Sequence, residues 1–123
     1  MAKILLIEDD PNALEMLRFR LEKAGYEIDT AADGDAGLLR ALHKPDLIIL
    51  DVRLPIIDGW QLCKLLKAEP RTQDIPVVML TGCSQPAQEF YGKACGASAY
   101  LTKPWDPEEL MTVARRLLKG RAA

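Results

Sequence analysis

Two short apolar runs, each ending at acidic residues, constrain the fold of this chain more than any other feature. Leu47–Leu50 leads without polar alternation into Asp51. Ile4–Ile7 leads in the same way into three successive acids, Glu8–Asp10. A continuous apolar run bounded by turn signals is typical of a strand buried on both faces, as in a parallel sheet covered by helices. We therefore predict two central strands with acids at their carboxyl ends.

The rest of the chain alternates predicted strands with predicted helices. Residues 26–30 alternate apolar and charged side chains, which is typical of a half-exposed edge strand. A regular alternation of strands and helices indicates an α/β protein with a doubly wound parallel sheet. We predict a three-layer, flavodoxin-like sheet with the strand order 2-1-3-4-5. The strands are expected at 4–7, 26–30, 47–51, 75–80 and 98–101, and the helices at 11–24, 34–44, 59–68, 84–94 and 107–119.

Aspartates mark the starts of three predicted helices. Asp10 precedes Pro11 and Asp106 precedes Pro107, so a capping side chain stands before a proline at the first helical position. Asp58 is placed to cap the third helix. The residues of that helix predicted to face the core are Leu62, Leu65 and Leu66.

The length and composition predict one domain over residues 1–123. The chain has 123 residues, of which 49% are hydrophobic and 28% charged, and this favours one folded core over disorder. A net charge of -2 does not favour a nucleic-acid-binding surface. No apolar run approaches the ~20 residues of a membrane span, and no signal-peptide pattern is seen. Cys63, Cys83 and Cys95 fit neither a disulfide framework nor a zinc site, so we expect reduced thiols in a cytoplasmic protein.

The predicted topology brings acidic, hydroxyl and basic side chains to one edge of the sheet. The carboxyl ends of strands one, three, four and five carry Glu8–Asp10, Asp51, Thr81 and Lys103. Ligands bind at this edge in open parallel α/β sheets. Crowded carboxylates repel one another, and Mg²⁺ would relieve that repulsion because it takes oxygen ligands and binds beside phosphates. The pattern predicts a carboxylate nucleophile that attacks phosphorus, with the metal and the lysine neutralising phosphoryl charge.

Each of these side chains also has a plain structural explanation. Acids after a strand often cap the next helix, which is what we expect of Asp10. Asp51 and Thr81 could simply belong to turns, and Lys103 could lie in a surface turn. His43, near the end of the second predicted helix, is expected on the surface. The occurrence of such side chains in order at four strand ends of one sheet is what favours a functional site.

Four motifs of the chain form a specific set. They are Ile7–Asp10, Asp51–Pro55 with Asp58–Gly59, Thr81–Gly82 and Tyr100–Pro104. With these motifs the sequence resembles the receiver domain of two-component response regulators over almost its whole length. The resemblance implies a cytoplasmic signalling switch that accepts a phosphoryl group from a sensor histidine kinase or a phosphotransfer protein. Its matching residues are Asp51 as phosphoacceptor, Lys103 and Thr81 as its catalytic partners, Thr81 and Tyr100 as switch residues, and Glu8, Asp9, Asp51 and the main-chain carbonyl of Arg53 as Mg²⁺ ligands.

The resemblance also implies how the signal leaves the domain. Output would pass by protein–protein contact through the face formed by the fourth predicted helix, the fifth strand and the fifth predicted helix. We expect the target to be a separate effector protein or an effector domain of a longer parent, and a phosphorylation-dependent homodimer is compatible with this. Residues 96–99 lack the acidic pair common before the switch tyrosine in winged-helix regulators. This departure weakens an assignment to the winged-helix subfamily, and with the net charge and the short apolar runs it means that direct nucleic-acid or membrane binding by this chain is not expected.

Two other functions are compatible with parts of the sequence. A degenerate receiver would bind partners without phosphorylation, although Asp51, Thr81 and Lys103 are all present. A phosphatase of the haloacid dehalogenase type also forms an aspartyl-phosphate, but it places a second acid two residues after the nucleophile, where this chain has Arg53. As a receiver, the chain would not be an enzyme beyond catalysing its own phosphorylation and dephosphorylation.

Overall fold

The structure, a computed structural model, describes residues 1–81, 96–102 and 106–119. Its strands are β1 (Lys3–Ile7), β2 (Glu27–Ala31), β3 (Leu47–Asp51), β4 (Val77–Thr81) and β5 (Ala99–Thr102). They form one parallel sheet in the order β2-β1-β3-β4-β5, which confirms the predicted flavodoxin-like topology. The helices of the described chain are α1 (Pro11–Lys23), α2 (Gly34–Ala41), α3 (Gly59–Ala68) and α4 (Pro107–Lys119). The last of these is the fifth helix predicted from the sequence, and the predicted helix at 84–94 lies outside the described residues.

The central strands are buried almost completely. Every residue of β3 and β4 is buried, and in β1 only Lys3 is partly exposed. β2 is partly exposed along most of its length, and β5 has only four residues, as predicted for the two edges. Uninterrupted apolar runs are stable in β1, β3 and β4 because helices cover both faces of the sheet.

Two apolar layers, one on each face of the sheet, form the core. Along β3, Ile48 and Leu50 belong to the layer beneath α2 and α3, whereas Leu47 and Ile49 belong to the layer beneath α1 and α4. The split follows from the strand geometry, in which successive side chains point to opposite faces. The sheet is therefore the middle of three layers, as the strand–helix alternation predicts.

The predicted helix starts are confirmed. Asp10 Oδ1 accepts a hydrogen bond from Asn12 N at 3.1 Å before α1. Asp58 Oδ1 accepts one from Gln61 N at 2.9 Å before α3, and Asp106 caps the start of α4 in a similar way. These carboxylates bind N–H groups that have no acceptor within their own helix. Each cap also fixes the point at which the chain leaves the carboxyl edge of the sheet.

One predicted core position on α3 is wrong. Leu62 and Leu66 are fully buried, but Leu65 is 46% exposed and Cys63 is buried in its place. The helix is rotated by roughly 60° from the predicted orientation, given about 100° per residue. The sequence could not distinguish the two orientations of the helix. Its four apolar side chains span a wider arc than the face that is buried, and they are Leu62, Cys63, Leu65 and Leu66. Cys63 is a free cysteine in the core, and Cys83 and Cys95 lie outside the described residues.

Membrane insertion has no structural support in the described ranges. None of the four helices there is both long enough and apolar enough to cross a bilayer.

Candidate functional site

Buried polar side chains concentrate at one edge of the sheet. Among the described residues, the buried polar or charged side chains are those of Glu8, Asp51, Thr72 and Thr81. Thr72 has a structural role, since its Oγ1 donates a hydrogen bond of 2.6 Å to the carbonyl of Leu66 near the end of α3. The other three side chains follow or end β1, β3 and β4. Burying such groups costs free energy unless they are compensated, so their convergence at one edge favours a functional explanation.

The strand register makes these three positions neighbours. Ile7 of β1 is paired with Leu50 of β3. The residues that follow them, Glu8 and Asp51, are therefore neighbours across these two strands. Asp51 is in turn paired with Leu80 of β4, the residue before Thr81. Because β1, β3 and β4 are adjacent, Asp51 lies between the acid and the hydroxyl. The structure thus brings together three of the site residues predicted from the sequence.

The backbone around Asp51 is tightly held. The carboxylate Oδ1 accepts a hydrogen bond of 2.8 Å from Arg53 N. Val52 N donates to the carbonyl of Leu80 at 2.9 Å, and Gly59 N donates to the carbonyl of Val52 at 2.8 Å. Val52, the residue after Asp51, is therefore bonded through its N–H to the neighbouring strand and through its carbonyl to the first residue of α3. This arrangement fixes the direction in which the Asp51 carboxylate leaves the sheet.

The three successive acids after β1 occupy different environments. Glu8 is 3% exposed, and its backbone N–H donates to the carbonyl of Ala31 at 3.0 Å, which extends the pairing with β2. Asp9 is exposed. Asp10 caps α1, as predicted. Of the three, Glu8 and Asp9 remain the candidates for a role at the site.

A shallow cavity of about 580 Å³ is lined by the residues that directly follow Asp51. It places two predicted metal-binding residues, Asp9 and Arg53, on the same surface. Trp60, in the first turn of α3, also lines it and was not singled out by the sequence. The full lining is Asp9, Val52, Arg53, Leu54, Pro55, Asp58 and Trp60.

The donor chemistry at this edge suits a partly hydrated magnesium ion. Within residues 1–81, 96–102 and 106–119, no cluster of three or more His, Cys, Asp or Glu side chains is arranged to hold a metal. Mg²⁺ does not need such a cluster, because it usually keeps several waters and binds through one or two carboxylates beside a phosphate. Acids at adjacent strand ends beside an open cavity fit that requirement. They do not fit an ion enclosed entirely by protein side chains.

Two further predicted site residues are described and one is not. Thr81 is the last residue of β4 and is buried. Tyr100, on β5, is partly buried and packs against the core layer beneath α2 and α3. Lys103 lies outside the described residues. Its contact with the phosphoryl oxygens therefore stays a prediction.

Comparison with known proteins identifies the family. A family model of the response regulator receiver domain matches residues 4–115. The chain belongs to this family. Receiver domains are signalling domains of two-component systems, and the parallel sheet with three polar strand ends is the framework on which this one is built.

Relatives of this receiver domain differ in total length. It is 44% identical over 120 residues to RpaA of Synechocystis, a DNA-binding dual master transcriptional regulator, covering 97% of this chain and 50% of RpaA. The chain spans about half the length of several curated relatives that it matches. It is also 36% identical over 121 residues to PilH of Pseudomonas aeruginosa, covering 98% of this chain and 100% of PilH.

One relative of known structure is described with a bound magnesium ion. The receiver domain of the sensor histidine kinase PA1611 from Pseudomonas aeruginosa superimposes with a TM-score of 0.88 at 28% identity, covering 96% of this chain and 98% of that domain. That domain is described with a magnesium ion coordinated in its active-site cleft.

The loop between β3 and α3 of this receiver contains a strained residue that the sequence did not reveal. Ile57 N donates a hydrogen bond of 2.7 Å to the carbonyl of Pro55, which closes a three-residue turn around Ile56. Ile56 has a φ of 71° and is 89% exposed. A β-branched residue rarely adopts positive φ, and a γ-turn of this hand is strained. The Pro55–Gly59 segment predicted a turn, but not which residue in it carries the positive φ.

Replacing Ile56 with glycine is expected to raise the free energy of unfolding by about 1 kcal/mol. Relief of a backbone strain of about 1–3 kcal/mol outweighs the ~0.5–1 kcal/mol by which glycine stabilises the unfolded chain. The side chain is almost fully exposed, so no core packing is lost. Urea unfolding measures the difference, with Ile56→Val as the control that keeps the strain. A glycine variant less stable than the parent would contradict the strained turn.

Proposed function

We propose that this receiver domain, about residues 3–119 as a single unit, is a phosphorylation switch whose phosphoacceptor is Asp51. A carboxylate oxygen of Asp51 attacks the phosphorus of a phosphohistidine on a sensor kinase or phosphotransfer protein. The P–N bond breaks, and the histidine leaves with a proton on its ring nitrogen. The chain catalyses this transfer and the later hydrolysis of its own aspartyl-phosphate, and it acts on no other substrate.

The placement of Asp51 is the observation that carries the proposal. Its carboxylate ends the central strand of the sheet, is 2% exposed, and lies between the strand ends of Glu8 and Thr81. The hydrogen bond from Arg53 N holds one oxygen in a defined direction beside the open cavity. A nucleophile that is oriented before the donor arrives needs less rearrangement to reach the transition state.

We assign the magnesium site to Glu8, Asp9, Asp51 and the main-chain carbonyl of Arg53. When bound there, Mg²⁺ would neutralise negative charge on the transferring phosphoryl group. Asp9 and Arg53 line the same cavity, which leaves room for water and for a phosphodonor. The magnesium-bound receiver of PA1611 supports the same metal in this fold.

The switch itself would use β4, which lies beside the strand of Asp51, and β5, the next strand of the sheet. Thr81 is one residue beyond the register partner of Asp51, so its hydroxyl is near enough to bond an added phosphoryl group after a small movement. Tyr100 is paired with Met79 on the neighbouring strand and is only partly buried, which leaves it room to turn inward. Phosphorylation would favour the conformer in which Thr81 and Lys103 contact the phosphoryl oxygens.

The signal would leave through partner proteins. The output surface comprises the fourth helix predicted from the sequence, β5 and α4, and its target is a separate effector or an effector domain of a longer parent protein. Cytoplasmic histidine kinase domains or phosphotransfer proteins would be the donors. This surface would also serve any homodimer that forms only after phosphorylation.

Intact-protein mass spectrometry after incubation with Mg²⁺ and acetyl phosphate tests the proposal. We expect one phosphoryl adduct on the parent chain, no adduct when a chelator is present, and no adduct on Asp51→Asn. Asn is nearly isosteric with Asp, so the variant removes the nucleophile and keeps the packing. An unmodified parent chain that is folded and binds Mg²⁺ would contradict the proposal and favour a phosphorylation-independent binding module. Turnover of unrelated phosphoesters would instead favour a phosphatase.

A further inference from the structure

Helices α1 and α4 form an exposed groove on the face of the sheet opposite α2 and α3. A cavity of about 820 Å³ runs between the two helices. Its centre is apolar, because Phe19 and Met16 of α1 are 64% and 46% exposed and Met111 of α4 is partly exposed. Large apolar side chains that cluster in one groove, rather than being scattered singly, are typical of interaction sites. We call this surface the α1–α4 face.

The charges on the α1–α4 face are segregated along the helices. Both helices start at the carboxyl edge of the sheet, because each follows a strand of a parallel sheet. Glu15 and Glu108 line the groove toward those starts. Basic side chains line the other end, and the ammonium of Lys23 lies 5.5 Å from the centre of the Phe19 ring. The basic residues of the lining are Arg20, Lys23 and Arg115.

We propose that the α1–α4 face binds a second copy of this chain about a twofold axis that passes through its apolar centre. A twofold axis brings the same patch of both copies together and reverses its direction. The acidic end of one copy would then meet the basic end of the other at both sides of Phe19. Charge complementarity of this kind favours the twofold arrangement and opposes a parallel one, in which like charges would meet.

The size of the face indicates a weak, reversible dimer. Each helix has 13 residues. Two such helices, each about 20 Å long and 10 Å wide, cover about 400 Å² of projected area on each copy. The total surface removed from water is then on the order of 1,000 Å², at the lower end for specific complexes. We therefore expect a dissociation constant on the order of 10–100 µM.

This dimer does not depend on the proposed phosphoryl chemistry. The face contains neither Asp51 nor any residue that lines the cavity at the proposed magnesium site. Asp51→Asn is accordingly expected to dimerise as well as the parent chain. The two proposals can thus fail separately, one by mass spectrometry and the other by sedimentation.

Sedimentation velocity of the whole chain at low ionic strength tests the dimer. The parent is expected to change from monomer to dimer across the micromolar range. Two double variants should each be monomeric at the same concentrations, because one leaves only basic charges on the face and the other leaves Arg115 as its one basic residue. One is Glu15→Lys with Glu108→Lys, and the other is Arg20→Glu with Lys23→Glu.

Mixing the two double variants is the decisive step. A uniformly positive face should bind a predominantly negative one, so the mixture is expected to form a heterodimer although neither variant dimerises alone. A general loss of stability in the variants could not produce that rescue. Lys44→Glu with Lys64→Glu is the matched control for Arg20→Glu with Lys23→Glu, since it makes the same change in net charge on exposed residues near α2 and α3 and should leave the dimer intact. A parent that stays monomeric, a dimer that survives both double variants, or a mixture without heterodimer would overturn the proposal.

Discussion

Replacing Gly59 with alanine is expected to lower the free energy of unfolding by at least ~3 kcal/mol, above the usual range for an overpacked site. Gly59 is the first residue of α3 and lies directly against the backbone that follows β3. A Cβ at this position would contact the carbonyl oxygen of Asp51 and would lie 2.6 Å from Val52 Cα. Both are backbone atoms, so no side-chain rotation can relieve the clash, and α3 must move away from the sheet.

Urea unfolding of the two chains measures the effect of Gly59→Ala. Gly37→Ala is the matched control, because Gly37 also lies in a helix but its Cβ would meet Ile7 Cδ1, the flexible end of a side chain, at 2.7 Å. There the ~1 kcal/mol gain in helix propensity should offset most of the crowding, and the change should be small. A loss below ~1 kcal/mol for Gly59→Ala would mean that the helix can shift at little cost.

The same substitution should also impair the chemistry at Asp51. The peptide between Val52 and Arg53 is held by α3 through the Gly59 N–H, and the Arg53 N–H of that peptide bonds the Asp51 carboxylate, so displacing the helix is expected to turn the carboxylate from its position. At a temperature where the variant is still folded, its rate of modification by acetyl phosphate should fall by about tenfold or more. Gly37→Ala should react at the parental rate.

Replacing Asp9 with asparagine is expected to weaken Mg²⁺ binding by about tenfold or more, since losing even an indirect partner of a metal ligand costs about 10–100-fold in affinity. Asp9 lies at the mouth of the cavity that Arg53 shares, whereas the neighbouring Asp10 is committed to the cap of α1. Asn caps helices as well as Asp does, so Asp10→Asn makes the same change in charge without loss of the cap. We expect that control to change the affinity by less than about threefold.

Trp60 provides the signal for this measurement. Its side chain lines the same cavity as Asp9, so its fluorescence should respond to a cation bound there. The chain has two tryptophans, and loss of the response in Trp60→Phe would assign the signal to this one. Equal affinities for the parent and Asp9→Asn would place the metal elsewhere and contradict the assignment of Asp9 as a ligand.

Much of the framework of the site could be predicted because the signals are local. Uninterrupted apolar runs identify strands buried on both faces, and the alternating run at 26–30 identifies an edge. The flavodoxin-like order satisfies this pattern of central and edge strands, and the structure confirms it. An aspartate before a proline marks a helix start, because its side chain accepts a hydrogen bond from the backbone N–H only two residues further along the chain. These features depend on residues that are close in the sequence. Once the strands are predicted, the positions of the acids at their ends are predicted as well.

Local sequence patterns were therefore enough to predict the sheet, its open edge and the polar residues that lie there. The tertiary structure decided how those residues are used. Which of three successive acids is buried, which face of α3 turns inward, and why Gly59 allows no side chain depend on contacts between distant segments. The positive φ of Ile56 also depends on closure of a loop between fixed ends. Contacts of this kind are set by packing in three dimensions, and a one-dimensional pattern does not encode them.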